Sequence, residues 1–539
     1  MQITIESPMW IDKTSYLQIK EKGDNCVSIS KQRRITAPLP KSFFFGFVSI
    51  ALNVFISLIL TPKIIEEVGI EAYGFVTLSS NVISCLNIIT VALNAYSARY
   101  ISISYLQNDI QTFNHYYNTV FWGNIGVGTC LFILLLLFII KIDLFLVIPD
   151  AILSDVKILF VFVGLNFLIT LASVAWKVYG QIKDRIDLTN LIEGISSAFH
   201  LSLLIFMYWF LTPNIWYVGL ATFLPSLVVL VSSVYLSYKY LPEIHIRISD
   251  VSKNAFKTLV IKGVWNAIDG LGNTLNTGLD LLITDLMLTS TEMGKVSVAK
   301  TASLIVPKFY SMISNSFYPK ILSAYSSHNI YDMIKWCKRA MRICAAVTNS
   351  LFICFVFLGE DFLRLWIPNQ DIKTIYILIV ISLIPCVVEG VTYPLYSIFT
   401  LTTKIMVPTM ITIVCGLINV VSMYVLLKNT TLGIYAVVIT TAFIVTVAHL
   451  FTPFYSCICL GIERKTFITS VMHSFFSLGV GIVLLKYIDR MLYRDNSVKS
   501  FVINGSILGT LCIGLQFLFL LLPDLIIILK REKRDRRDR

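Results

Sequence analysis

The sequence has few charged residues for its length. Only 14% of its 539 residues are Asp, Glu, Lys or Arg, whereas 56% are apolar, and the mean hydropathy is +0.76. An average soluble chain carries roughly 25% charged residues, so a soluble fold of this size would lack the polar side chains to cover its surface. A polytopic membrane protein does not need them, because lipid accepts apolar side chains on its outer face. The composition therefore argues against a soluble enzyme, a nucleic-acid-binding protein and a secreted disulfide scaffold.

The usual motifs of metal and nucleotide chemistry are absent as well. The 11 cysteines include no CxxC pair, and the six histidines form no HExxH motif or other cluster. There is no G-x-x-x-x-G-K-[ST] phosphate loop, so the chain has no ATP motor of that type. No loop on the predicted outer side is long enough to hold a catalytic domain. We therefore expect no catalytic residues, no metal site and no cofactor other than a coupling ion.

Apolar segments of about 20 residues recur along the chain, and each is long enough to cross a bilayer as a helix. The predicted fold is therefore all-α, a polytopic membrane protein with about 14 transmembrane helices. The predicted spans are residues 42–60, 74–96, 118–140, 156–177, 188–211, 215–237, 259–287, 294–317, 340–358, 374–397, 405–427, 431–454, 467–486 and 501–529.

Basic residues are distributed unevenly over the loops between these spans. When the N-terminus is placed in the cytoplasm, most of the 44 Lys and Arg residues fall in cytoplasmic segments, as the positive-inside rule requires. An even number of spans returns the C-terminus to the same side. The basic tail then fits an anchor near anionic lipid better than a nucleic-acid-binding segment.

The two halves of the chain resemble each other at a nearly constant offset. Gly74 and Gly294 open the second and eighth spans, Asn53 and Asn273 lie in the preceding spans, and the members of each pair are 220 residues apart. Because this offset contains six helices, the halves have parallel topology, and such repeats place a substrate site between them. The predicted units are a cytoplasmic tail (1–41), a first six-helix bundle (42–237), a cytoplasmic linker (238–258), a second six-helix bundle (259–456), two additional helices (457–529) and a basic cytoplasmic tail (530–539).

The seventh span carries polar side chains at spacings of three or four residues, which would form one face of a helix. Charged groups inside a membrane are costly and usually face protein or water. The stripe therefore indicates either an aqueous cavity or a buried hydrogen-bonded seam between helices. Its members are Lys262, Asn266, Asp269, Asn273, Asn276, Asp280 and Thr284.

The eighth span adds Lys300 and Lys308. Because spans seven and eight are antiparallel, Asp280 and Lys300 share a depth in the outer half, whereas Asp269 and Lys308 share one in the inner half. We predict two acid–base pairs, which either neutralise each other permanently or are opened by substrate or a proton. Glu389 in the tenth span is either a proton or cation carrier or a hydrogen-bonded buried acid.

The first half is less charged. Asn53 lies in the first span, and Asn87 and Asn94 lie in the second. Arg99, at the cytoplasmic end of the second span, is either an anchor at headgroup level or a phosphate contact at the mouth of a cavity.

Short stretches of the first half resemble the polysaccharide flippases of the O-antigen (Wzx) type, relatives of multidrug and toxic-compound extruders and of lipid II flippases. These stretches are LTPKII at 60–65, GIEAYG at 69–74 and ALNAYSARY at 92–100. The resemblance implies alternating-access transport of an undecaprenyl-pyrophosphate-linked oligosaccharide from the cytoplasmic to the periplasmic leaflet of the bacterial inner membrane. It further implies coupling to a proton or sodium gradient, a role in cell-surface polysaccharide biosynthesis, and polysaccharide polymerase machinery as a partner.

Under this resemblance the polar residues acquire candidate roles. The cations for a pyrophosphate are Lys262, Lys300, Lys308 and Arg99. The amides for sugar hydroxyls are Asn53, Asn87, Asn94, Asn266, Asn273 and Asn276. The acids to be tested for ion coupling are Asp269, Asp280 and Glu389. Two alternatives stay open: a multidrug or cation antiporter of the same (MATE-type) fold, and a membrane polysaccharide polymerase or glycosyltransferase.

Overall fold

A computed structural model describes residues 54–183, 185–402, 404–490 and 497–537, with side chains described as far as residue 520. The predictions for residues 1–53, including the N-terminal tail and Asn53, lie outside the described residues. Within them the secondary structure is helical, with no β-strand. The fold class predicted from the sequence is thereby confirmed.

Seven helices of ten residues or more belong to the described part of the first half. They are α1 (54–67), α2 (Ile70–Asn94), α3 (Ser97–Leu106), α4 (Ile110–Ile140), α5 (Leu153–Trp176), α6 (Ile186–Phe210) and α7 (Trp216–Tyr240). The second half contains α8 (Lys253–Asn273), α9 (Asp280–Met287), α10 (Ser290–Ser326), α11 (Ile330–Trp366), α12 (Ile372–Thr392), α13 (Tyr396–Leu401), α14 (Met406–Asn429) and α15 (Ile434–Leu460). Two further helices follow, α16 (Lys465–Asp489) and α17 (Val498–Arg537).

Eleven helical segments of the described chain are long and apolar enough to cross a membrane. The predicted seventh and eighth spans form helices α8 to α10 but are not among the eleven, and these are the segments rich in polar side chains. Several helices also exceed the predicted spans: α11 is 37 residues long, and α17 continues into the basic tail as far as Arg537.

Polar side chains fix where several helices begin. In each case a side-chain oxygen accepts a hydrogen bond from a backbone N–H three residues later, which satisfies a donor that has no partner inside the helix. The hydrogen bond from the backbone of Thr112 also lowers the pKa of Asp109. The capping residues are Asp109, Ser252, Thr289, Asn329 and Asp371, which start α4, α8, α10, α11 and α12.

The linker between the halves is bound to α4 of the first half. Asn114 donates to the backbone oxygen of Glu243 and accepts from the backbone N–H of His245. One helical turn later, Asn118 donates to the oxygen of His245 and accepts from the N–H of Arg247. Each side-chain amide both donates to a backbone oxygen and accepts from a backbone N–H of the linker. The two side chains thus satisfy the linker backbone in the way that the backbone of an adjacent β-strand would. The linker therefore belongs to the first half.

The two additional helices are joined to the second half by a buried polar cluster. Asn349 of α11 donates to the backbone oxygen of Ser474 on α16 and to Gln516 on α17. Gln516 in turn accepts a hydrogen bond of 2.7 Å from Ser477. Asn349 and Ser477 are fully buried, so these bonds replace hydration that the side chains have lost.

The halves meet along α2, which packs against α8 and, at what the predicted topology makes the outer side, against α10. Gly74 and Gly294 pack against each other, and a Cβ atom added to Gly74 would lie 3.2 Å from the Cα of Gly294. Ser297 donates to Thr77 at 2.5 Å. We call this the outer contact, defined by Glu71, Gly74 and Thr77 on α2 and by Thr291, Gly294 and Ser297 on α10.

The members of the outer contact pair at a single offset. Glu71 accepts from Thr291 at 2.6 Å, and the members of this pair, like those of the Gly74 and Thr77 pairs, are 220 residues apart. Contacts between equivalent residues are the signature of a twofold axis passing through an interface. The duplication predicted from the sequence requires such an axis between parallel halves.

Candidate functional site

A cavity of about 510 Å³ lies between α2 of the first half and helices of the second half. It extends from Thr77 and Val296, beside the outer contact, to Phe399 and Tyr455 near the predicted cytoplasmic ends of their helices. A space enclosed by both halves is where the repeat architecture places a substrate. Its polar lining residues are Thr77, Asn81, Ser84, Asn273, Thr274, Asn276, Thr277, Asp280, Lys300, Ser303, Ser382, Glu389, Tyr396, Thr412, Thr441, His449, Thr452 and Tyr455.

The polar stripe of the seventh span is interrupted by a π-helix. Residues Thr274–Gly278 form this turn between α8 and α9. The extra residue of a π-turn changes the directions of all later side chains by about 100° around the helix axis. Asn273 and Thr277 are consequently exposed to the cavity. Asn276 and Asp280 border it but are only 5% and 3% exposed, because they turn towards α14 and α15. The prediction of one continuous face is therefore wrong.

Asp280 and Lys300 form an ion pair in the cavity wall, as the depth argument predicted. The carboxylate and ammonium groups are 3.0 Å apart, and the two side chains are 4% and 13% exposed. Thr441 of α15 donates to the same carboxylate at 3.3 Å. Lys300 also donates to the backbone oxygen of Thr277, inside the π-turn. The lysine thus links α9, α10 and the irregular turn between α8 and α9.

Asn276 serves helix packing rather than lining an open path. Its amide donates to the backbone oxygens of Gly272 and Thr412, both at 2.9 Å. Its own backbone oxygen accepts from Asn419 of α14 at 2.8 Å. These bonds hold α8 against α14 at Gly272 and Gly416, where the backbones approach too closely for a side chain. Here the seam alternative describes the seventh span correctly.

A second polar cluster lies further along the cavity, on α12, α13 and α15. The carboxylate of Glu389 is 3.6 Å from Nε2 of His449. Nδ1 of the same imidazole is 3.3 Å from the hydroxyl of Tyr396. Sequence reasoning identified Glu389 but not its partner, because residues 60 positions apart have no local pattern to link them. The signal available was an ionisable residue inside a predicted span.

The predicted inner pair does not form. In the described part of the chain Asp269 makes no ion pair with Lys308 and instead accepts a hydrogen bond of 3.1 Å from Asn273, one turn away on α8. Lys308 is exposed on α10. Lys262, Asn266, Asp269 and Lys308 are not among the residues that line the cavity.

The first half contributes residues other than those predicted. Thr77, Asn81 and Ser84 of α2 line the cavity, and Asn81 donates to the backbone oxygen of Gly278 at 3.1 Å. The predicted residues lie elsewhere. Asn94 exchanges two hydrogen bonds, of 3.0 and 2.9 Å, with Asn124; Asn87 accepts from Thr90; and Arg99 is exposed on α3.

Comparisons with known proteins identify the family and the fold of this chain. The model of a family described as "Polysaccharide biosynthesis protein" matches residues 39–324. The uncharacterized membrane protein EpsK of Bacillus subtilis (strain 168) is 25% identical over 432 residues, which cover 80% of this chain and 85% of EpsK.

Two solved structures share the fold. An inward-facing multidrug resistance MATE family transporter of the MOP superfamily superposes with a TM-score of 0.60 and 14% identity, covering 77% of this chain and 98% of the transporter. The lipid II flippase MurJ in an inward closed conformation gives a TM-score of 0.59 with 14% identity over 90% of this chain and 99% of MurJ.

Proposed function

This chain is a multi-pass membrane protein that belongs to the polysaccharide biosynthesis protein family, and from that premise we propose that it is a flippase for a lipid-linked oligosaccharide. The proposed substrate is an undecaprenyl-pyrophosphate-linked repeat unit of a cell-surface polysaccharide. It moves from the cytoplasmic to the periplasmic leaflet of the bacterial inner membrane by alternating access. The observation that carries the proposal is the polar cavity between the halves, closed at its predicted outer end by the outer contact.

The cavity offers chemistry for each part of such a substrate. The ammonium group of Lys300 is the cation in the wall that can contact a pyrophosphate. Asn81, Asn273 and Thr277 present amides and a hydroxyl that can exchange hydrogen bonds with sugar hydroxyls. The lipid tail stays in the bilayer, so the cavity has to enclose only the polar part of the molecule.

Alternating access requires the outer contact to open while a contact on the opposite side closes. The outer contact contains two hydrogen bonds made by hydroxyl groups, one to the hydroxyl of Thr77 and one to the carboxylate of Glu71, and two glycines at which the helices approach closely. An ion gradient would drive the cycle. Asp269, Asp280 and Glu389 are the acids to test for coupling, and of these Asp280 and Glu389 line the cavity.

One observation favours a second candidate, a MATE-type antiporter for cations. The cavity lining contains two carboxylates, of Asp280 and Glu389, but a single lysine. Lys262 and Lys308, which would have balanced these acids, are not part of the lining. A cation extruder prefers an acidic cavity, so both substrates have to be tested in the same vesicles.

The experiment is reconstitution of the purified protein in liposomes with a fluorescent undecaprenyl-pyrophosphate sugar. We expect protein-dependent movement of the label to the leaflet that an external quencher does not reach. Dye uptake without lipid movement would instead establish the cation antiporter. Loss of movement in Lys300→Gln, but not in the surface control Lys486→Gln, would assign the cation.

Because Lys300→Gln leaves a buried carboxylate unpaired, a second variant is needed. The double substitution Asp280→Asn with Lys300→Gln removes both charges and restores a neutral wall. If the double variant folds as well as the wild type and moves no lipid, whereas Asp280→Asn alone still moves it, the lysine acts on substrate. Wild-type movement in the double variant would remove Lys300 from the substrate path.

A further inference from the structure

The cavity holds two carboxylates whose partners differ in kind. Asp280 is paired with a lysine, a residue type whose ordinary pKa lies well above neutral pH. Glu389 is paired with a histidine, the residue type whose ordinary pKa lies near neutral pH. Of the two basic partners, the histidine is therefore the one suited to bind and release a proton in the physiological pH range.

We propose that Glu389 and His449 form the proton-binding site that couples transport to a proton gradient. This inference rests on the proposed transport function and specifies its coupling ion. With a neutral imidazole the pair carries one negative charge, and with one bound proton it carries none. Because the pair lies in the wall of the cavity, a proton can reach it by the same opening as the substrate.

The surroundings of Glu389 leave His449 as its source of positive charge. No lysine or arginine of the described chain forms an ion pair with this carboxylate. The titratable side chains that its charge acts on are a thiol on its own helix α12, Cys386, and the hydroxyls of Tyr310 on α10, Tyr393 in the turn after α12, and Tyr396 on α13. Thiols and phenols do not become cations, so neutralising the carboxylate requires a proton on the pair.

The two ring nitrogens of His449 have different neighbours. The hydroxyl of Tyr396 lies 3.3 Å from Nδ1, whereas the carboxylate of Glu389 lies 3.6 Å from Nε2. A partner on one ring nitrogen fixes the role of the other. Removal of the imidazole should therefore abolish the response to protons while leaving the rest of the cavity in place.

Helix α10 connects this pair to the outer contact. It carries Gly294 and Ser297 at the outer contact and Tyr310, which is fully buried beside Glu389. It also contains Pro307 between these regions, where the backbone lacks one helical hydrogen bond and bends more easily. A change of charge at Glu389 therefore acts on the helix that closes the cavity.

The first test needs no substrate. Spin labels are attached through a ketone-bearing amino acid at Phe210 and Asn429, the exposed last residues of α6 and α14, and their separation is measured at about pH 5.5 and about pH 8. If one proton is linked to opening, the ratio of the closed and open populations changes by up to about tenfold per pH unit. We expect His449→Gln and Glu389→Gln each to abolish this change and the double variant to add nothing further.

The matched control is His473→Gln, an exposed histidine on α16, which should respond to pH as the wild type does. A wild-type pH response in His449→Gln would overturn the proposal. A response of the labelled protein to sodium in place of protons would overturn it too.

The second test measures transport in the liposomes. Exchange of an outgoing substrate for an incoming proton accumulates the lipid-linked glycan on the more acidic side, by up to about tenfold for a one-unit pH gradient and one proton. Movement of glycan that ignores pH would refute the proton site and leave the proposed function intact. A pH-dependent label distance without any glycan movement would support the proton site and refute the proposed function.

Discussion

The substitution Gly294→Ala should push the protein out of its outer-closed conformation. A Cβ atom at this position would overlap the backbone oxygen of Ile70 on α2 and lie 2.8 Å from the adjoining carbonyl carbon. Both are backbone atoms, so no side chain can rotate away, and α10 has to move from α2. When the outer contact opens, the two helices separate and the overlap disappears.

The size of the effect follows from this difference between conformations. Inserting a methyl group into close packing costs about 1–3 kcal/mol, and about 1.4 kcal/mol changes an equilibrium tenfold. We therefore expect the open population to rise about 5- to 150-fold relative to the closed one. Alanine also favours a helix over glycine by about 0.5–1 kcal/mol, but this gain applies equally to both conformations and does not bias them.

The assay is the distance between spin labels at Phe210 and Asn429, measured in the wild type and in three alanine variants. Gly74→Ala should shift the distribution less than Gly294→Ala, because its nearest neighbour is the flexible end of Met293. Gly126→Ala on α4 is the control, since nothing lies within 4 Å of its added Cβ. Equal distributions in the wild type and Gly294→Ala would refute the reasoning.

Three further experiments test other parts of the structure. Asp280→Asn leaves the ammonium group of Lys300 without its counter-charge, so it should destabilise the protein by about 3–5 kcal/mol, seen as a lower midpoint in thermal unfolding; an unchanged midpoint would mean that the ion pair is solvated. In an otherwise active protein Thr277→Cys should react with a water-soluble thiol reagent and Asn276→Cys should not, because the π-turn directs them to different sides; equal labelling would contradict that turn. Asn118→Ala removes two hydrogen bonds to the linker and should speed its cleavage by added protease, whereas an unchanged cleavage rate would indicate that the linker is held elsewhere.

Hydrophobic periodicity predicted the helices well because membrane spans are long and the signal is summed over about 20 residues. It also singled out the seventh and eighth spans, whose polar residues carry much of the cavity wall. It could not reveal the π-turn at Thr274–Gly278, because a single extra residue leaves the composition of the segment unchanged. The burial of Asn276 and Asp280 against α14 and α15 depends on that turn, so the sequence could not predict it.

The two predicted ion pairs show what depth alone can decide. Asp280 and Lys300 share a depth and also face each other, and they form the pair. Asp269 and Lys308 satisfy the same depth argument, yet the carboxylate bonds to its own helix. Depth fixes one coordinate of a side chain, whereas an ion pair also requires the rotation of both helices about their axes. That rotation is set by packing against α14 and α2, which the sequence of one span does not contain.

The outer contact explains why the sequence similarity between the two halves is preserved at Gly74 and Gly294. On a twofold axis, residue i touches residue i+220, so each position has to suit its own counterpart in the other half. Small residues meet small residues at Gly74 and Gly294, and hydroxyls meet at Thr77 and Ser297. Away from the axis the partners are unrelated residues, and the halves are free to differ. Such divergence is visible in the cavity, where Asn81 and Ser84 are the counterparts of Thr301 and Leu304 at the same offset. The halves therefore stay alike where they must open and close together, and they differ where one asymmetric substrate has to be bound.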